Sequence, residues 1–150
     1  MTRTTALQRA TPADAPAIAS IAHALRDEPN IGLPPALDGP AAETWLAQMG
    51  DRGAVVLALD GSIPVAFGAL EAGPGEPETG VLGVWVLTDH RRRGIATQLA
   101  EELIELARDL GYRRIRGRLP AENEPALSFL SGIGAMVPLR NPDMTFELPL

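Results

Sequence analysis

Hydrophobic and polar residues alternate along the chain with two different periods, which predicts a domain containing both strands and helices. Residues 4–9 have the pattern of a short first strand. Thr11 can cap a following helix, with Pro12 at its first position, where proline is favoured. The Pro-, Gly- and Asn-rich stretch 27–40 predicts a loop, and a short helix is expected over 41–49.

Residues 54–71, AVVLALDGSIPVAFGALE, give the clearest hairpin signal. Asp60-Gly61 is a turn pair that readily takes positive φ values, so two antiparallel strands are expected on either side of it. The Gly-, Pro- and Glu-rich stretch 72–80 predicts a connecting loop. The nearly continuous apolar run 81–87 then predicts a strand that is buried on both faces.

Residues 94–110 predict an amphipathic helix that ends at Gly111. Its apolar stripe consists of Ile95, Leu99, Leu103, Ala107 and Leu110. A strand over 115–119, a helix from near Asn123 to 129 and a last strand over 144–150 follow. The resulting order, β-α-α-β-β-β-α-β-α-β, predicts an α/β fold with a central mixed sheet flanked by helices.

The length and composition of the chain limit the classes of protein to which it can belong. A chain of 150 residues is expected to form one domain over 1–150. The N-terminus lacks the apolar core of a signal peptide, and no apolar run approaches the roughly 20 residues of a membrane helix, so a cytoplasmic protein without a membrane partner is expected. The chain has no cysteine and two histidines, which makes a metal site implausible.

The charge is unevenly distributed. A net charge of -6 argues against a nucleic-acid partner. Eight of the thirteen arginines nevertheless lie between Arg91 and Arg118. For Arg91, Arg92 and Arg93, which stand beside a predicted helix start, this clustering favours an anion site.

Residues 81–107 carry the main functional signal, because a buried-type strand runs through an Arg-rich turn directly into a helix. The first N–H groups of a helix have no intrahelical partner, and the helix dipole places partial positive charge there, so a pyrophosphate can be held by main chain. Gly94 and Ala96 leave room for that approach. The spacing is neither a P-loop, since the chain has no lysine, nor a dinucleotide-binding G-x-G-x-x-G fingerprint.

Arg91-x-x-Gly94-x-Ala96 resembles the [Q/R]-x-x-G-x-[G/A] acetyl-CoA motif of the GNAT N-acetyltransferase superfamily. A second pattern, Asn123-x-x-Ala126-x-x-Phe129, is similar to that family's N-x-x-A-x-x-[LF]-Y helix, and the order and spacing of the two patterns fit. The resemblance implies the GNAT-like acyl-CoA N-acyltransferase fold, whose central sheet is mixed but mostly antiparallel.

The resemblance also implies an activity, the transfer of an acetyl group from acetyl-CoA directly to a primary amine of a small molecule or peptide. In the family, strands splay apart beside the motif, and the main-chain N–H of Val86 would act as the catalytic oxyanion donor. The cofactor-binding residues that it implies are Val84, Trp85, Val86, Arg91, Arg92, Arg93, Gly94, Ile95, Ala96, Thr97 and Asn123. Two-chain assemblies are common in the family, so a homodimer is one candidate assembly.

The general base is a carboxylate in many such reactions. Glu78 ranks first because it is expected just before the cofactor strand, and Glu71 and Glu122 are the alternatives. The chain departs from the family at Leu130, where many members have a tyrosine that protonates the leaving thiolate, and at Ala135, where an aromatic residue is usual.

Two other functions remain open at this point. Leu130 favours a non-catalytic acyl-CoA-binding or regulatory module of the same fold. A general anion-binding domain without CoA would require the Asn123 pattern to be accidental.

Overall fold

The computed structural model describes residues 5–26, 37–73, 75–90, 94–118 and 145–150. Several predicted features lie outside these ranges: most of the loop 27–40, the helix from near Asn123, Arg91 to Arg93, Glu122, Leu130 and Ala135.

The described residues form six strands and three α-helices. The strands are β1 Thr5–Arg9, β2 Ala54–Asp60, β3 Ile63–Gly73, β4 Glu76–Val86, β5 Arg114–Arg118 and β6 Thr145–Pro149. The α-helices are α1 Ala15–Leu25, α2 Gly39–Ala47 and α3 Ile95–Asp109. Short 3-10 helices occupy Pro12–Asp14, Gly50–Arg52 and Thr88–His90.

The six strands form one sheet in the order β1-β2-β3-β4-β5-β6. Every neighbouring pair is antiparallel except β4 and β5, which are parallel and are connected through α3. A parallel pair needs such a crossover, whereas the antiparallel pair β2–β3 is joined by a tight turn. The prediction of a mixed, mostly antiparallel sheet flanked by helices is therefore confirmed.

A hydrophobic core lies on each face of the sheet. On one face, α3 buries Leu99, Leu103 and Ala107 completely against residues of the sheet such as Val56 and Ile115. On the other face, α1 and α2 pack with Phe67 and neighbouring residues of β2 and β3. Each fully buried leucine or phenylalanine stabilises the fold by about 1.5–3 kcal/mol.

The first helix differs from its prediction at the start. Pro12–Asp14 form a 3-10 turn, and α1 begins at Ala15. The Thr11 N–H donates to Asp14 Oδ2 at 2.9 Å, which satisfies a backbone donor before the helix proper begins. The second helix starts two residues earlier than expected, at Gly39, because Asp38 Oδ1 accepts a hydrogen bond from the Ala41 N–H at 3.0 Å.

The hairpin of β2 and β3 is confirmed, but its turn lies one residue later than predicted. Asp60 is still paired, with Ile63, so the two turn residues are Gly61 and Ser62. Gly61 has φ +66°, a conformation that glycine adopts without the steric cost that a side chain brings.

The predicted loop 72–80 was wrong, because β3 extends to Gly73 and β4 begins at Glu76. The glycine at position 80 indicated a loop, but packing explains it. A Cβ on Gly80 would lie 2.8 Å from Leu70 Cδ1 and 3.4 Å from Tyr112 Cγ. Glu78 consequently lies inside β4 and not before it.

The main helix agrees closely with its prediction. It runs from Ile95 to Asp109 and is followed by Gly111, whose φ of +88° is a typical C-terminal stop. Leu110 is only half-buried, whereas the rest of the predicted stripe is buried. None of the helices in the described ranges is long and apolar enough to cross a membrane.

Candidate functional site

Among the described residues, the pairs of β4 with β5 end before the pairs of β4 with β3 do. Its recorded pairs with β5 run from Thr79–Arg114 to Leu82–Gly117. Its pairs with β3 continue further, to Val86–Ala66. Residues 83–86 of β4 are therefore paired with β3 and lie past the last β4–β5 pair that the described residues form.

The main-chain groups of alternate β4 residues point to opposite neighbours. Leu87 N–H donates to Val65 O of β3 at 2.9 Å, and Glu78 O accepts from Arg113 N–H on the β5 side at 2.9 Å. In a strand the N–H groups alternate in direction. The N–H groups of Val84 and Val86 are therefore directed towards the β5 side of the strand.

The start of α3 follows β4 after a short turn. Gly94 is the N-cap residue with φ +80°, and its carbonyl accepts the first intrahelical bond, from Gln98 N–H at 3.0 Å. The N–H groups of Ile95, Ala96 and Thr97 precede that bond and have no intrahelical acceptor. With a glycine cap there is no side chain to cover them, so they are suited to an anion.

The backbone at Gly94 is open on the side that a side chain would occupy. A Cβ placed on Gly94 would meet nothing within 4 Å, so the backbone can be approached closely at this point. The Ile95 side chain is buried in the core, which leaves its main chain for binding. The arrangement is consistent with a pyrophosphate held by backbone N–H groups and the helix dipole.

A contact between His90 and Asp60 ties the turn before α3 to the sheet. His90 Nε2 lies 3.7 Å from Asp60 Oδ2, at side-chain exposures of 21% and 8%. His90 N–H also donates to Leu87 O at 2.9 Å. These contacts fix the residue directly before the Arg91 motif. Sequence reasoning missed this contact because it assigned Asp60 to the hairpin turn. The one available signal was the position of Asp60 at the end of a buried strand.

Comparison with known proteins decides the family. The sequence matches the acetyltransferase (GNAT) family over residues 18–134. The chain belongs to this family. The structure is similar to the solved GNAT acetyltransferase from Streptococcus pneumoniae, with a TM-score of 0.80, 17% identity, and 98% of this chain and 100% of that chain covered. Among curated proteins, none matches the sequence.

Two further solved GNAT structures contain the cofactor. The yncA acetyltransferase from Salmonella typhimurium, solved with acetyl-CoA, has a TM-score of 0.79 at 21% identity, over 97% of this chain and 94% of that chain. The phosphinothricin acetyltransferase from Sinorhizobium meliloti, in complex with acetyl-CoA, has a TM-score of 0.80 at 17% identity, with coverage of 98% and 89%. At these identities the likeness shows the fold, and it confirms the predicted GNAT architecture.

The side chains of the predicted cofactor strand lie in the two cores of the GNAT fold. Val86 is buried on the α3 side, and Val84 is half-buried beside it. Trp85 faces the opposite side and packs on Phe67, with 4.9 Å between ring centroids. Of the predicted binding residues, the structure thus brings the β4 main chain and the residues from Gly94 to Thr97 to one end of the sheet.

Glu78 is not part of this group. It is eight residues from Val86 along β4, a separation of about 26 Å in an extended strand. Its carboxylate lies 3.6 Å from Arg113 Nε, and both side chains are largely exposed. The geometry does not favour proton transfer between Glu78 and a group bound near Val86.

Replacing Glu78 by glutamine is therefore expected to leave the rate of acetyl transfer within about twofold of the parent rate at every pH, because Glu78 is remote from Val86. The protein should also stay folded, because an exposed ion pair contributes little to stability. Initial rates measured from pH 6 to pH 9 would check this. A variant whose rate no longer rose with pH would restore Glu78 as the base.

Tyr112, the chain's only tyrosine, is also remote from Val86. Its hydroxyl donates to the carbonyl of Arg52, and the Arg52 guanidinium lies 4.4 Å from its ring centroid. The ring packs beside Gly80, six residues before Val86. Tyr112 therefore contacts Arg52 and lies beside Gly80, towards the other end of β4 from Val86.

A groove of about 650 Å³ lies elsewhere, between β1 and the outer face of α3. Its lining includes Glu101, Glu102 and Glu105, with Arg108 as its cation. Three carboxylates repel phosphates, so this groove is unsuited to CoA.

Proposed function

We propose that the chain is an acetyl-CoA-dependent N-acetyltransferase that acts on a primary amine of a small molecule or peptide. One observation carries the proposal. Strand β4 continues past the last β4–β5 pair that the described residues form, and the turn at Thr88–His90 and the long helix capped by Gly94 come next along the chain. Main-chain donors of β4 and of a helix start would then lie at one end of the sheet, which supports the proposal.

The helix start would hold the cofactor's pyrophosphate. The main-chain N–H groups from Arg92 to Thr97 would donate to its oxygens, and Arg91, Arg92 and Arg93 would attract its charge. The family pattern further assigns Asn123 a hydrogen bond to the cofactor arm. The Arg91 to Arg93 and Asn123 roles stay predictions, since these residues lie outside the described ranges.

Acetyl-CoA, when bound, supplies an activated thioester. We propose that β4 binds the cofactor arm that carries this thioester, through the main-chain N–H groups of Val84 and Val86. The Val86 N–H would donate a hydrogen bond to the oxyanion that develops as the amine attacks. Holding the two reactants together can by itself lower the barrier by several kcal/mol.

The reaction forms the amide C–N bond and breaks the thioester C–S bond, so the amine nitrogen gives up a proton, here to water, and the sulfur takes one up. The position that many family members use for a donating tyrosine holds Leu130, which cannot donate. We propose that water supplies this proton, since a thiol is a comparatively acidic leaving group.

Replacing Val86 by proline tests the oxyanion role. Proline has no N–H, and the N–H of Val86 points away from β3, so its loss spares the β3 ladder. We expect kcat to fall about 100- to 1000-fold, as for loss of one oxyanion donor. The control is Val86→Ala, which keeps the N–H and should retain kcat within about tenfold. Equal losses in both variants, at equal thermal stability, would contradict the role.

The second candidate is a non-catalytic acyl-CoA-binding module, which Leu130 favours. Both candidates bind CoA compounds, but only the enzyme releases free thiol from acetyl-CoA in the presence of amines. A thiol-release screen across a panel of primary amines therefore separates them. Amine-dependent release supports the enzyme, and binding without release supports the module.

A further inference from the structure

The turn between β4 and α3 is held at three points. Leu87 N–H donates to Val65 O of β3 at 2.9 Å, which attaches the end of β4. His90 N–H donates to Leu87 O at 2.9 Å, and the His90 ring contacts Asp60. At the start of α3, the Ile95 side chain is buried in the core. The short segment between His90 and α3 therefore starts and ends at fixed residues.

Asp60 is a buried carboxylate on the α3 face of the sheet. It is the last residue of β2, and it shares its face with Val56 and Ala58 of the core under α3. Of the carboxylates in the described ranges, Asp60 alone is buried. Its Oδ2 lies 3.7 Å from His90 Nε2, which is longer than a hydrogen bond, so the contact is an electrostatic attraction. Such an attraction is stronger away from water than on an exposed surface.

The His90 ring is held through one nitrogen. Nε2 faces Asp60, whereas Nδ1 is buried and has no hydrogen-bond partner among the described residues. A neutral imidazole carries one N–H, and the carboxylate favours the tautomer with this hydrogen on Nε2. The other tautomer would bury an N–H without an acceptor, which is costly. Asp60 therefore selects both the orientation and the tautomer of the ring.

Stability alone does not account for a polar contact at this place. Replacing a buried charged pair by apolar side chains of similar volume is often neutral or stabilising. An apolar residue at position 90 could pack against the same core. What histidine adds is a directional contact between the end of β2 and the turn that precedes α3.

His90 lies close to the helix start that would bind the pyrophosphate. Arg91 directly follows it, and Gly94 is four positions from it along the chain. Four extended residues span at most about 14 Å, so the position of His90 limits where the intervening main chain can lie. The proposed donors to the pyrophosphate belong to this stretch and to the first turn of α3. A turn that is already ordered loses less conformational freedom on binding, which raises affinity.

We propose that His90 is a positioning residue for the cofactor. Held by the Asp60 carboxylate, it fixes the entry to the turn that binds the pyrophosphate, and it does so without touching the acetyl group. It therefore contributes to the affinity for CoA and not to the rate of acetyl transfer. The inference rests on the proposed function for the identity of the ligand, but the affinity for CoA can be measured without turnover.

Two substitutions at position 90 separate positioning from packing. The amide nitrogen of glutamine reaches about as far as Nε2 of histidine, so His90→Gln keeps a donor for Asp60. His90→Leu fills a similar volume without a donor. In a calorimetric titration, we expect His90→Leu to bind CoA about tenfold more weakly and His90→Gln to stay within about threefold of the parent. The control is His23→Gln, at the chain's other histidine, which is exposed on α1 and should leave CoA binding unchanged.

Steady-state kinetics provide a readout that a loss of packing would not give. With acetyl-CoA as the varied substrate, His90→Leu should raise KM about tenfold and leave kcat within about twofold. S-acetylpantetheine carries the same thioester but lacks the pyrophosphate, so its kcat/KM should be equal in the parent and in His90→Leu. A variant that was only less stable would lose rate with both substrates, in proportion to its unfolded fraction.

Asp60→Asn tests the other side of the contact, and it decides the question if His90→Leu does not fold. Removing a negative charge near an anion site would by charge alone strengthen phosphate binding. The positioning role predicts the opposite, CoA binding that is about tenfold weaker. In the double variant with His90→Leu the two losses should not add, because Asp60 acts through His90.

Three results would overturn the inference. The first is unchanged CoA binding in folded His90→Leu, the second is unchanged or tighter binding in Asp60→Asn, and the third is a loss in His90→Gln as large as in His90→Leu. Failure of the proposed function looks different. A protein that binds CoA through this contact but releases no thiol with any amine keeps the positioning role and is not the enzyme. An enzyme whose KM for acetyl-CoA is the same with histidine or leucine at position 90 keeps the proposed function and lacks the positioning role.

Discussion

Replacing Gly94 by glutamate is expected to abolish the stabilisation of the protein by acetyl-CoA. At about 100 times its Kd, the ligand should raise stability by roughly 2.7 kcal/mol, or about 5–10 °C in Tm for a chain of this size. In the variant the carboxylate would point into the open space in front of the α3 start and repel the phosphates. A Tm scan with and without acetyl-CoA measures the difference.

The same helix offers a matched control. Gly111 also has a positive φ, +88°, and a Cβ there would also meet nothing within 4 Å, but it lies at the other end of α3. Gly94→Glu and the control Gly111→Glu should each lose about 1–2 kcal/mol in the free energy of unfolding, because a residue with a side chain is strained in the left-handed conformation. Only Gly94→Glu should lose the response to acetyl-CoA. An undiminished response in Gly94→Glu would remove the α3 start from the binding site.

Replacing Leu103 by alanine should have the largest effect on stability. Leu103 is fully buried between α3 and the sheet, and its Cδ1 lies against Gly68, so the cavity cannot be filled by a neighbouring side chain at that point. We expect a loss of about 2–5 kcal/mol in the free energy of unfolding. Chemical denaturation followed by circular dichroism measures it.

Leu106→Ala is the control for this change, since Leu106 is on the same helix but only partly buried. It loses the same atoms and should cost about 1 kcal/mol or less, because the apolar area exposed is smaller. If both variants lost the same stability, the packing of α3 described above would be incorrect.

Local patterns in the sequence were sufficient to predict the helix and the hairpin nearest the candidate site. The stripe from Ile95 to Ala107 and the stop at Gly111 follow from helical periodicity and from one residue's backbone preference. The hairpin followed from alternation and a turn pair. Such signals depend on residues close together in the chain, so they can be recognised without knowledge of tertiary contacts.

Features that depend on distant residues could not be predicted in this way. Gly80 appeared to mark a loop, since its packing against Tyr112 arises only when β4 and the α3–β5 connection meet. Glu78 appeared close to the cofactor strand because the length of β4 was underestimated. The pairs Asp60–His90 and Trp45–Glu71 join residues 30 and 26 positions apart, and no local pattern records such a contact.

The central claim is that the β4 edge and the start of α3 form an acetyl-CoA site, and calorimetric titration of acetyl-CoA into the purified protein tests it most directly. The account predicts saturable binding of one molecule per chain, competed by free CoA and lost in Gly94→Glu. An absence of binding to the parent protein would contradict both the enzyme and the acyl-CoA-binding module.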